Sequence, residues 1–331
     1  MASKVSDYIE LANEKFEENE PAEAIEFLEK ALELEPDNVT AIFLKGTGLI
    51  ELGDDERALQ CFDKVLELDP DYTDVHYNKA LALLYLDDLD EAERSIDKFL
   101  ESEPENINAI ILKALIMASL GKKTLALNYF DDALTMDPNS FLALKNKGIT
   151  LFELENYKDA IKYLKLALKM EPEDEDILLY LGLASASLNK LDKAIGFYNK
   201  ALDINKHNTS IIYYKTCAMA DMGKLDEAIN CITDILEVEP EFTSALTLKA
   251  EIYMGLERPE DVLECYKAVQ EIDPEDPEAW LGMGNVLKDL EKKEDSIKAY
   301  EKFIEVVEKN ELSDWDLEVG RVRDYLKTVK P

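Results

Sequence analysis

The chain has 331 residues, with 37 Lys and Arg against 72 Asp and Glu, a formal net charge of −35 and a hydrophobic content of 47%. That charge excludes a nucleic-acid backbone or an anionic membrane surface as the main partner, because both select clustered Lys and Arg. With only 12 Gly and 11 Pro the chain is neither linker-rich nor of low complexity, and its composition is that of a folded helical protein.

The first residues, Met1 to Asp7, lack an apolar core long enough for a signal peptide. No run of about 18 apolar residues follows, so nothing is expected to span a bilayer, and the expected compartment is the cytoplasm. From residue 5 onward one period governs the chain. Pro36, Pro70, Pro104, Pro138 and Pro172 stand 34 residues apart; Lys206 takes the next place, and Pro240 and Pro274 resume in phase. A 34-residue period is that of a helix–turn–helix solenoid, in which each unit buries its apolar face against its neighbours.

Aligned on the prolines, nine units follow one another: 5–38, 39–72, 73–106, 107–140, 141–174, 175–208, 209–242, 243–276 and 277–310. Each is expected to hold two helices. In the second unit, Thr40 to Leu52 is apolar-periodic, Gly53-Asp54 breaks it, Asp55 to Leu68 is periodic again, and Asp69-Pro70 ends it. The break column reads Asn19, Gly53, Asp87, Gly121, Glu155, Asn189, Gly223, Glu257 and Glu291. Gly and Asn suit it because a residue just past a helix end often turns left-handed.

Two columns stay small. One runs through Ala12, Gly46, Ala80, Ala114, Gly148 and Gly182 in the first helices, the other through Ala24, Ala58, Ala92, Ala126, Ala160 and Ala194 in the second. A bulky column fills the space they leave, with Leu28, Phe62, Ile96, Phe130, Leu164 and Tyr198. The sixth unit closes on Asn205-Lys206-His207-Asn208 without proline, so its exit angle is expected to differ. The ninth closes without proline at Ile304 to Asn310, which predicts a longer last helix. Residues 311–331 leave the period. Ser313 and Asp316 have the spacing of a capping box, and Leu312, Trp315, Val319, Val322 and Leu326 follow at helical spacing, which predicts a helix closing the apolar end of the array.

These columns resemble the tetratricopeptide repeat family: a bulky residue early in the first helix, a small one four later, Ala and an aromatic in the second helix, and a closing Pro. The resemblance spans residues 5–310. It implies an all-α, right-handed α-solenoid with a concave face built from the first helices, and a protein-interaction role. The family's common Leu before the small residue is replaced here by Lys45, Lys79, Lys113, Lys147, Lys215 and Lys249. They read either as a cationic ladder or as stems packed on the solenoid with their ammonium groups on nearby carboxylates.

Chemistry is sparse. His76 sits in the bulky first-helix column and His207 in a loop, neither with a partner at metal-ligand or nucleophile–base spacing. Cys61, Cys231 and Cys265 share one column, and equivalent positions of packed helices lie ~10 Å apart, beyond the ~7 Å reach of a disulfide. With Cys217 they are expected as free thiols. No catalytic residue, metal or cofactor is expected. Binding is legible in two further first-helix columns, which the resemblance places on the concave side. Their middle is apolar, while both ends turn polar at Glu10, Asn13 and Glu17, and at Glu251, Asn285 and Asp289. The expected peptide-binding residues are Phe43, Tyr77, Leu81, Ile111, Leu115, Ile149, Leu179, Leu183 and Tyr213. Family members that bind chaperones grip a carboxylate tail with Lys and Asn in these columns, and the apolar residues here do not support that activity.

The function read from the sequence is a non-catalytic scaffold that binds a protein or peptide with apolar anchors and basic flanks along an apolar groove. Two alternatives stand beside it: a self-associating structural protein, and a regulatory subunit of an enzyme or chaperone complex. Against the groove stands the reading that the same stripe is core, closed by the array's own turns.

Overall fold

The computed structural model describes residues 2–329, and within them the chain is helical throughout. It divides into two compact units, Met1–Glu171 and Pro172–Pro331. The amino-terminal unit holds α1 (Ala2–Glu17), α2 (Pro21–Leu34), α3 (Val39–Glu51), α4 (Asp55–Leu68) and α5 (Asp74–Tyr85). It continues with α6 (Leu89–Ser102), α7 (Ile107–Ser119), α8 (Lys123–Met136), α9 (Phe141–Glu153) and α10 (Tyr157–Leu168). The carboxy-terminal unit holds α11 (Glu175–Ser187), α12 (Leu191–Ile204), α13 (Thr209–Asp221), α14 (Leu225–Val238) and α15 (Thr243–Gly255). There follow α16 (Pro259–Ile272), α17 (Pro277–Asp289), α18 (Lys293–Lys309), a 3-10 turn (Ser313–Trp315) and α19 (Asp316–Val329).

Local chemistry starts and stops these helices. Two residues past the closing proline, a short polar side chain caps most first helices: Asn38 accepts from the Ala41 amide at 3.0 Å, Asp174 from Ile177 at 2.8 Å and Asp276 from Ala279 at 2.8 Å. Each cap is worth about 1 kcal/mol. At the other end, every residue of the break column is left-handed, from Asn189 at φ 54° to Gly53 at φ 74°. Asp87, Glu155, Glu257 and Glu291 adopt this conformation without being glycine or asparagine. Their side chains oppose it by ~1–2 kcal/mol. Glu155→Gly will therefore raise stability by about 1 kcal/mol after glycine's entropy is charged against it. Gly53→Ala will lower it by a similar amount, both read as shifts of the denaturant midpoint.

One expectation about the exits needs correction. The missing proline at Lys206 alters nothing locally. Asn205 leaves its helix at φ −128°, ψ 94°, beside φ −131°, ψ 97° for Asp137 and φ −126°, ψ 93° for Asp273, which both precede proline. The turn is held instead by the Asn205 amide on the Ala201 carbonyl at 3.0 Å and by the Asn205 side chain accepting from the His207 amide at 3.3 Å. The exit that departs is the fifth. There α10 stops at Leu168, and the amides of Met170 and Glu171 both turn back to the Ala167 carbonyl at 2.9 and 3.1 Å. The boundary between the two units follows directly.

The core is the small-against-bulky pairing. Leu28, Phe62, Ile96, Phe130 and Leu164 are fully buried in the amino-terminal unit, and Tyr198 and Ile232 in the other. In the last repeat α18 runs 17 residues, and α19 lays Val319, Val322 and Leu326 against Tyr300, Phe303 and Val307. Trp315 meets Phe303 edge-on at 5.8 Å. The capping box at Ser313 and Asp316 does not form. Glu311 turns left-handed at φ 54° and places Ser313 inside the 3-10 turn, where its carbonyl accepts from the Asp316 amide. Lys330 and Pro331, the end of the expected closing segment, lie outside the described residues. Among the described residues no helix is long and apolar enough to cross a membrane.

Candidate peptide-binding surfaces

First helices of consecutive repeats touch one another within each unit, α3 to α5 to α7 to α9 in one and α11 to α13 to α15 in the other. Their columns therefore form side-by-side rows. The lysine row is the clearest. In the amino-terminal unit each lysine pairs with an acid sixteen residues earlier, on the preceding second helix: Lys45 with Glu29, Lys79 with Asp63 and Lys113 with Asp97, all at 2.7 Å, and Lys147 with Asp131. Lys113 also reaches Glu93 at 3.2 Å, and Lys147 donates to the Tyr163 hydroxyl at 3.2 Å. The lysine side chains are buried at Lys113 and Lys147 and half-buried at Lys45 and Lys79, while the carboxylates stay largely exposed, so each pair adds no more than ~1 kcal/mol. Within this unit the row is thus neutralised and offers no cationic ladder. In the carboxy-terminal unit Asn199 and Thr233 stand where the acids would be, before Lys215 and Lys249.

The apolar rows are partly open. Phe43, Tyr77, Leu81, Leu115 and Ile149 are half-buried, as are Leu179, Leu183 and Tyr213 in the other unit. Ile111 is not available: at 3% exposure it belongs to the core between α7 and its neighbours, and its place among the binding residues is withdrawn. The aromatic members are covered on one side by rings from elsewhere in the array. Phe43 lies 5.2 Å from Tyr72, Tyr77 5.5 Å from Phe99, and Tyr213 5.4 Å from Phe242. Burial, and then Cys217 beside it, pushes the Tyr213 phenol up to about 12.

The same two columns become cavities where the sequence turns polar. Tyr213, Thr247 and Glu251 line a hollow of about 280 Å³ with Asp276 and Glu278. A larger one of about 580 Å³ lies between α17 and the turn into α19, with Leu281, Gly282 and Asn285 on one side, Asp314, Trp315 and Glu318 on the other, and Tyr266 and Glu278 completing it. Glu278 lines both. Partial burial pushes its carboxyl above the usual range, and Asp276 and Glu251 add to the shift. Sequence reasoning set these positions aside as polar ends; the signal was Gly282, standing in a column that holds Tyr214 and Leu248 in the preceding repeats.

All four cysteines are free thiols, and burial raises each of them, Cys217 and Cys265 to about 11. Burial, with Lys98 and Lys79 nearby, lowers His76 and favours its neutral form.

Sequence models of the tetratricopeptide repeat match residues 77–141 and 145–208, 219–286, and 277–310. A model of anaphase-promoting complex, cyclosome, subunit 3 matches residues 17–99. No curated protein matches the chain. Among solved structures, a tetratricopeptide repeat protein from Parabacteroides merdae superposes with a TM-score of 0.58 at 18% identity, over 78% of this chain and 99% of that one. The C-terminal part of a TPR repeat-containing protein from Cytophaga hutchinsonii gives 0.57 at 17% identity, over 73% and 99%. PilF of Pseudomonas aeruginosa gives 0.55 at 19%, over 66% and 97%. At these identities the likeness is one of fold. With the period, the left-handed breaks and the small-against-bulky core, the matches establish that this chain belongs to the tetratricopeptide repeat family, whose fold is that of a protein–protein interaction scaffold.

Proposed function

We propose that this protein is a non-catalytic cytoplasmic scaffold that captures a polypeptide segment of a partner along its first-helix face. The observation that carries the reading is the partial exposure of Tyr77, Leu81, Leu115 and Ile149 on helices whose opposite faces are already committed to the core. A helix apolar on all sides leaves surface that only another chain can bury. Leu179, Leu183 and Tyr213 supply the equivalent surface in the carboxy-terminal unit. The surplus of acid, 72 against 37, favours segments with basic flanks and speeds their encounter at low salt.

A displayed library of random peptides tests this on the full chain. Enriched peptides should carry aromatic or aliphatic anchors beside Lys or Arg. Tyr77→Ala with Leu115→Ala should weaken them by about tenfold or more while the far-ultraviolet circular dichroism keeps its helical amplitude. If binding survives the double substitution, the rows are not the groove. If no peptide enriches, the scaffold reading fails, and concentration-dependent sedimentation then decides for self-association.

A further inference from the structure

We infer that the cavity between α17 and the turn into α19 is a pocket for a single arginine or lysine side chain of the captured segment. The inference rests on the scaffold reading for the source of that side chain, but its geometry is independent of the apolar rows.

Three features build the pocket. The first is a wall made by a tyrosine ring seated on a glycine. At Gly282 an added Cβ would stand 2.5 Å from Cε2 and Cζ of Tyr266, so glycine lets that buried ring lie directly against α17. The equivalent positions of the two preceding repeats carry Tyr214 and Leu248. The hollow of about 580 Å³ accommodates a long side chain with its adjoining backbone.

The second feature is the lining. Tyr266, Leu281 and Trp315 present apolar and aromatic surface, suited to the alkyl stem and to a cation over a ring. Trp315 is fixed by its edge-on contact with Phe303, so the ring is held before any ligand arrives.

The third is charge with nothing to answer it. Glu278, Asp314 and Glu318 line the cavity. Among the described residues Glu278 and Asp314 have no ion pair, and Glu318 has only Arg321 at 3.8 Å. The occupant must therefore bring positive charge and a stem. A metal ion is disfavoured on geometry, since among the described residues no three His, Cys, Asp or Glu groups approach closely enough to hold one. A guanidinium suits best, because it bonds carboxylates through a planar fork and stacks on rings.

The two tryptophans, Trp280 and Trp315, permit a direct test. The full chain is labelled with 5-fluorotryptophan, the two fluorine lines are assigned with Trp280→Phe, and N-acetyl-arginine amide is titrated in. The Trp315 line should move saturably, N-acetyl-lysine amide should move it less, and the neutral N-acetyl-glutamine amide should not move it. Glu278→Gln with Asp314→Asn should weaken the effect by about tenfold or more, and high salt should weaken it as well. A shift that is unsaturable, equal for the glutamine amide, or unchanged in the double variant overturns the pocket. The two readings fail separately. Library peptides that lose affinity in Tyr77→Ala with Leu115→Ala but not in Glu278→Gln with Asp314→Asn leave the scaffold standing and remove the pocket from peptide recognition. Saturable arginine-amide binding without any enriched peptide keeps the pocket and removes its polypeptide source.

Discussion

Phe130→Ala will cost about 3–5 kcal/mol of stability, among the largest losses any single truncation in the amino-terminal unit can produce. Phe130 is fully buried on α8, with Ala126 and Ala133 on its own helix and Ala114 among its neighbours on α7. These alanines are what allow the helices to close on the ring, and they cannot follow it when it is removed. Their side chains are already at their smallest, so filling the void needs whole helices to move. Helix backbones packed in a repeat array resist that movement, and most of the cavity stays. Phe43→Ala is the control. That ring is half-buried on the apolar row, and its loss should cost about half as much, since less surface leaves water when the chain folds. Urea unfolding gives the difference. Hydrogen exchange should place the first lost protection in α7, α8 and α9, because each repeat stabilises only its neighbours. Equal costs for the two substitutions would mean that the row is core and no groove exists there.

The period made the fold legible, for a physical reason. A repeat that must stack on a copy of itself keeps the same small residues where helices touch and the same bulky residues where they do not. Gly46, Ala80 and Ala114 against Phe62, Ile96 and Phe130 can be read without coordinates. The left-handed breaks were equally visible at Gly53 and Asn189, and less so at Glu155, where acid at a positive φ gives no compositional hint. Proline at the exits was over-read. At Lys206 the turn is made by backbone and asparagine hydrogen bonds that proline only accompanies.

Openness was the part that pattern could not supply. A column says which side of a helix a residue occupies, but not whether a distant side chain covers it. Tyr72 over Phe43 and Phe242 over Tyr213 come from residues beyond the reach of helical periodicity. Ile111 is buried by its neighbours although it shares a column with Tyr77. The cavity at Gly282 needs a glycine that seats the Tyr266 ring and a turn from outside the period. Only the first of these leaves a mark in the sequence.

Gly182→Leu will destabilise the carboxy-terminal unit by about 3 kcal/mol, and truncating its partner Tyr198 will cost less in its presence than alone. A Cβ on Gly182 would stand 2.2 Å from Cε1 and 2.6 Å from Cδ1 of Tyr198, whose ring is 1% exposed and has no open side to turn toward. Leucine brings three further carbons into the same space, so either α11 and α12 separate or the tyrosine leaves its rotamer. The helix gains up to about 1 kcal/mol when glycine is replaced, which offsets only part of the strain. Tyr198→Ala alone creates a void and costs about 3–5 kcal/mol by the reasoning applied to Phe130. In Gly182→Leu, however, the same change removes the clash and supplies the room that leucine needs. The double variant should therefore lose less stability than the two single losses added together, with a coupling of about 1–3 kcal/mol measured by a denaturation cycle. Simple additivity would show that the two residues do not meet, and that the small and bulky columns are not the pair that closes each repeat.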